Sequence, residues 1–118
     1  MRVEEIVINK SRFIAYRYDL ESLDDVKNIL DMLKKEHKKA THICFAYVYN
    51  KECVSEKCSD DGEPGGTAGY PILNVIKKKN LTNTFVAVVR YFGGIKLGAG
   101  GLTRAYTKSC ASVLNEKN

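Results

Sequence analysis

No stretch of the 118-residue chain approaches the roughly 20 consecutive apolar residues that cross a bilayer. The opening Met1, Arg2, Val3, Glu4, Glu5 has no apolar core of a secretory signal. These absences predict a soluble chain with no membrane partner, working in the cytoplasm. Cysteine is sparse as well: Cys44, Cys53, Cys58 and Cys110 form no CxxC pair. A reducing compartment would keep them as buried or half-buried thiols on strands and a helix, with a zinc site including His42 as the alternative. There is no GxGxxG, and the glycines at 93–100 lack the Lys-Ser/Thr ending of a phosphate-binding loop. No GxSxG elbow places Ser59 or Ser109 as a nucleophile, which argues against acyl transfer. Internal repeats and low-complexity tracts are also missing.

What is present fits one ordinary core. Hydrophobic residues make up 44% of the chain and charged residues 28%, so disorder and a disulfide-built miniprotein are excluded, and residues 1–118 are expected to form a single domain. Lysine and arginine number 19 against 14 acids, giving 19 − 14 = +5. This mild excess suits an RNA or phosphate partner.

Periodicity divides the chain into eight elements. Val3 to Ile8 and Lys10 to Tyr18 read as a hairpin turning at Asn9. Ser22, with Asp25 three residues on, opens a helix whose Leu23, Val26, Ile29, Leu30, Leu33 and His37 form one apolar stripe. Thr41 to Tyr49 is a third strand, and a turn at Asn50 and Lys51 leads to a short fourth around Cys53 to Ser55. Thr67 is a candidate cap for a second helix carrying Ile72, Leu73 and Ile76 and ending at Asn80, with Pro71 in its first turn. Thr84 to Phe92 is almost continuously apolar and should be the best-buried strand. The third helix carries Leu102, Ala105, Tyr106, Ser109, Cys110 and Val113 on one face. The order β-β-α-β-β-α-β-α predicts an α+β two-layer sandwich, a mostly antiparallel sheet with helices on one face.

Two glycine-rich loops run into helix starts, where free N–H groups favour an anion. The bland reading of both is a tight strand-to-helix connection. The lysines at 34, 35, 38 and 39 and at 77–79 end helices, where positive charge complements the dipole and no ligand is needed. Lys96 and Arg104 flank the start of the third helix, where a cation is locally unfavourable; with Arg90 at the end of the central strand they become the candidate anion-binding cations. Gly93, Gly94, Gly98, Gly100 and Gly101 complete that candidate surface. A secondary group, Asp60, Asp61, Glu63, Gly66 and Thr67, admits magnesium binding or acid–base work, against the plainer reading of turn and helix-start acids.

Four segments identify a resemblance: KSRF at Lys10 to Phe13, HICFA at His42 to Ala46, SDDGEPGGTAGYP at Ser59 to Pro71 and VVRYFGGIKLGAGGLTRAY at Val88 to Tyr106. Together, from about Val3 to Leu114, they resemble the IMPACT family, whose bacterial members are called YigZ. The resemblance implies the fold of the second domain of small-subunit ribosomal protein five, shared with elongation factor G and the GHMP kinases. It also implies nucleic-acid or ribosome binding for bacterial members. For eukaryotic ones it implies translation control under amino-acid starvation, through the kinase that phosphorylates initiation factor two. Residues 1–118 match the common domain only, without an RWD domain or a ferredoxin-like second domain. Asp60, Asp61, Gly62, Glu63, Gly66, Thr67, Arg90, Gly93, Gly94, Lys96, Gly98, Gly101 and Arg104 match its motifs.

The expectation is therefore a translation-associated binding protein that engages RNA or the ribosome through the glycine-rich helix start, with no cofactor and no resident metal. A nucleotide- or phosphate-dependent enzyme and a protein-interaction module in translational stress control stand as alternatives.

Overall fold

The computed structural model describes residues 1–115. Its elements are β1 (Arg2–Ile8), β2 (Ser11–Asp19), α1 (Asp24–Glu36), β3 (His42–Asn50), β4 (Val54–Ser59), α2 (Gly69–Lys78), β5 (Thr84–Tyr91) and α3 (Gly98–Leu114). The strands form one five-stranded sheet in the order β1-β2-β5-β3-β4, every neighbouring pair antiparallel. The expected α+β class, element order and antiparallel sheet are as found.

Local sequence explains most of the joints. Asn9 and Lys10 both adopt positive φ, 48° and 65°, which gives the right-handed twist a two-residue hairpin needs. At the start of α1 the Ser22 hydroxyl accepts the Asp24 N–H at 3.0 Å, while the Asp25 carboxylate accepts the Ser22 N–H at 3.0 Å. This is the reciprocal capping the sequence suggests. β4 runs from Val54 to Ser59, a few residues later than expected, because the turn out of β3 extends through Cys53.

β5 lies in the middle of the sheet and is buried along its length up to Arg90. Its alternate residues serve two separate cores. Val86 and Val88, with Phe13, Ala15, Cys44 and Ala46, meet Ile72 and Ile76 of α2 and Leu102, Ala105 and Tyr106 of α3. Phe85, Ala87 and Val89, with Ile14, Tyr16, Ile43 and Tyr47, meet Ile29 and Leu33 of α1. Thus α2 and α3 form the expected layer, whereas α1 covers the opposite face. The apolar stripe of α1 fixes that it packs, but a stripe carries no record of which face of the sheet receives it.

Two thiols also differ from expectation. Cys44 and Cys110 are buried, and burial pushes each thiol up to about 12, but Cys53 in the turn before β4 and Cys58 on β4 are exposed. Among the described residues no helix is long and apolar enough to cross a membrane.

Candidate functional site

The two glycine-rich loops meet at the end of the sheet where β5 leaves toward α3. Arg90 is the last inward-facing residue of β5, in register with Phe13 on β2 and His42 on β3. Its position follows from the same period of two that buries Val86 and Val88. The guanidinium lies between the rings of Phe13 and Phe92, 5.5 and 5.4 Å from their centroids. One of its nitrogens reaches both oxygens of Glu63, at 3.0 and 2.8 Å, and the other reaches the Ser11 hydroxyl at 3.3 Å.

Glu63 is the hub of this network. Its second oxygen accepts a short hydrogen bond from the Tyr106 hydroxyl of α3, and its first lies 3.3 Å from His42 Nε2. The other imidazole nitrogen, Nδ1, donates to the Asp61 carbonyl at 2.7 Å. Cys44 Sγ donates to the Asp60 carbonyl at 3.1 Å and lies 3.5 Å from the Tyr106 oxygen. Burial, reinforced by Cys44 and Glu63, pushes the Tyr106 phenol far above its ordinary value, so it acts as a hydrogen-bond donor. Loop 60–67, β3, β5 and α3 are therefore tied together by one buried ionic network.

Arg90 thus already holds an anion from within the protein. It is 5% exposed and neutralised by a carboxylate that lies within the core. The acids of the loop are committed as well. Asp60 accepts N–H groups of Gly66, Ala68 and Gly69 at 3.0, 3.1 and 2.8 Å, and so caps α2. Thr67 does not: its hydroxyl donates to the Pro64 carbonyl. Asp61 accepts the Ile43 N–H at 2.7 Å. Among the described residues no group of three or more His, Cys, Asp and Glu side chains could hold a metal ion.

The Asp60 cap gives a pH-dependent prediction. Burial raises its carboxyl, but the three backbone N–H bonds outweigh this and hold it below the usual carboxylate range. A depressed native value stabilises the fold above the unfolded value, and that stability is lost as pH falls through the native one. Asp60→Ala should cost about 1–2 kcal/mol at pH 7. The gap from the wild type should shrink across the acid range, from about pH 4, the value of an unfolded carboxyl, downward. Urea unfolding at both ends of that range measures it; a gap that stays constant would show that the charge of Asp60 is irrelevant to capping.

The remaining candidates surround the start of α3. This helix has no side-chain cap and no acid in its first turn, and it opens at Gly98 with φ +72°. Lys96 and Arg104 are exposed but lie on different sides. Lys96, with Gly98, lines a cleft of about 420 Å³ whose other walls include His42, Pro64, Phe92, Leu97 and Leu102. Arg104, with Gly101, lines a smaller depression of about 250 Å³ that also takes in Asn9 and Lys108. Gly93 has a packing role: a Cβ there would lie 2.0 Å from the Lys10 carbonyl oxygen, so the loop rests directly on the β1–β2 turn. That contact places Lys10 against the same loop. Lys10 against the loop, Lys96 just before the helix, and Arg104 and Lys108 in its second and third turns are all exposed, and among the described residues none of them forms an ion pair. Sequence reading missed Lys10 and Lys108. The spacing of Arg104 and Lys108, four residues apart on one helical face, was the available signal for the second.

Residues 9–114 match the model of the Impact N-terminal domain. The chain belongs to this family. It is 51% identical over 111 residues to the IMPACT family member YvyE of Bacillus subtilis, covering 94% of this chain and 51% of that protein. A solved structure described as a hypothetical protein superposes with a TM-score of 0.89 at 36% identity, over 96% of this chain and 56% of the other. A second, the two-domain translational regulator Yih1, shares the fold with a TM-score of 0.64 at 24% identity, over 93% and 45%. The chain thus spans about half the length of these relatives.

Proposed function

We propose that this chain is an RNA-binding domain of translation regulation, and that RNA phosphates are held by Lys10, Lys96, Arg104 and Lys108 around the start of α3. The observation that carries the reading is four exposed cations on or against α3 and the loop before it, without ion pairs among the described residues, beside a helix start that no side chain caps. Free N–H groups of a first helical turn favour an anion, and a cation placed there is locally unfavourable unless an anion is shared. The net charge of +5 agrees. Family membership and the fold shared with a protein described as a translational regulator support the setting in translation. A phosphoryl-transfer reading lacks comparable support, because Asp60, Asp61 and Glu63 are each taken by donors of the protein itself.

Reversing two charges tests the proposal. Arg104→Glu combined with Lys108→Glu should weaken binding of a single-stranded RNA oligonucleotide by about tenfold or more, as two phosphate contacts become repulsions. Both residues are exposed, so the circular dichroism spectrum and melting temperature should be nearly unchanged. Unaltered affinity in a folded double variant would refute the assignment.

A further inference from the structure

Resting on that reading, we infer that the 420 Å³ cleft beside Lys96 takes one unpaired nucleotide, its base against the Phe92 ring and its phosphate at the start of α3. The volume lies within the roughly 300–1,000 Å³ of pockets that enclose small organic groups. Apolar Pro64, Phe92, Leu97 and Leu102 line it together with polar Thr41, His42, Glu63 and Arg90. A mixed apolar and polar lining suits a heteroaromatic ring with hydrogen-bonding edges.

Two observations point to such a guest independently of the helix end. Arg90 lines the cleft, is 5% exposed, and its Nε is a buried donor with no hydrogen-bond partner, while its terminal nitrogens reach Glu63 and Ser11. A buried donor left unsatisfied beside a cleft is explained if a ligand's acceptor, such as a base carbonyl or ring nitrogen, reaches it once the ring that covers it shifts. Phe92 is the second. Its ring is held over the Arg90 guanidinium, yet it remains 46% exposed beside the cleft. An exposed, fixed aromatic ring is a stacking platform for an unpaired base. Lys96 and the first residues of α3, Gly98 and Ala99, line the same cleft, so a phosphate and its base can be held together. A duplex keeps its bases stacked and cannot supply one to the cleft.

The test compares a single-stranded RNA oligonucleotide, a blunt duplex of the same length and 5′-AMP for binding to the full chain. The proteins are the wild type, Phe92→Ala, Phe92→Tyr and the Arg104→Glu/Lys108→Glu variant. Phe92→Ala should weaken the single strand by about tenfold and leave the duplex unchanged, while Phe92→Tyr retains the wild-type affinity. Binding of 5′-AMP that also depends on Phe92 would support the cleft as a nucleotide site and point to a free nucleotide as its source. Phe92→Ala within twofold of the wild type on the single strand, or equal losses on both RNAs, would overturn the inference. The phosphate-binding rim would survive that result if the charge-reversed variant still weakened both RNAs. Failure of the wild type to bind any of the three ligands would overturn both.

Discussion

Glu63→Ala is expected to lower the free energy of unfolding by about 3–5 kcal/mol, the usual cost of removing one partner of a buried ion pair. Glu63 is 7% exposed, and its two oxygens serve Arg90, Tyr106 and His42 at once. Its loss leaves a guanidinium charge in the core between Phe13 and Phe92, and strips the Tyr106 hydroxyl of its acceptor. Domains of ordinary stability hold about 5–15 kcal/mol, so the variant would forfeit a large part of the total. Urea unfolding measures the change. The double variant Glu63→Leu/Arg90→Met separates the pair's net worth from the penalty of orphaning one charge. It should be clearly more stable than Glu63→Ala, because apolar groups of similar volume replace both charges. If Glu63→Ala cost less than about 1 kcal/mol, like an exposed ion pair, the description of this network as the tie between loop 60–67, β5 and α3 would be wrong.

Gly93→Ala should cost about 3 kcal/mol, the upper part of the overpacking range. The added methyl would lie 2.0 Å from the Lys10 carbonyl oxygen and 2.1 Å from its carbon, and both are backbone atoms that cannot rotate away. Relief requires the β1–β2 turn to separate from the loop. That breaks the bond from the Gly93 N–H to Ser11 Oγ, the same oxygen that holds one nitrogen of Arg90. Gly94→Ala is the matched control. Gly94 sits at φ +92° with nothing within 4 Å of an added Cβ, so only the backbone penalty of about 1–2 kcal/mol applies. Melting temperatures of the two variants should differ by several degrees. Equal melting temperatures would mean that the glycine at 93 is not there for close approach. Because the turn carries Lys10, Gly93→Ala should also weaken RNA binding.

These two positions show where sequence reasoning reached and where it stopped. The apolar run of β5 predicted a central, covered strand, and burial along its length bears this out. The strand's period of two, overlooked when Arg90 was taken as an anion-binding cation, puts it beside Val86 and Val88 on the helix-covered face, so its inward direction was legible. Its partner was not, since Glu63 comes from a loop 27 residues away, and only the folded chain brings the two together. The same non-locality explains the cap of α2. Local rules favour Thr67, yet Asp60 reaches the helix start from nine residues upstream of Gly69 because the loop between them folds back. The cations divide in a similar way. The lysines ending α1 and α2 match the helix dipole and were readable one by one. Lys10 joins the rim through contact with Gly93, a relation that no window of sequence contains.

The dependence of RNA affinity on salt tests the central claim most directly. For the wild type, log affinity should fall linearly with log salt at a slope of about −0.7 per phosphate neutralised on a single strand. With Lys10, Lys96, Arg104 and Lys108 engaged, the account gives a slope near −3, roughly halved when Arg104 and Lys108 are replaced by glutamine. A complex whose affinity is indifferent to salt, or whose slope is the same in wild type and variant, would contradict a phosphate-binding rim at the start of α3.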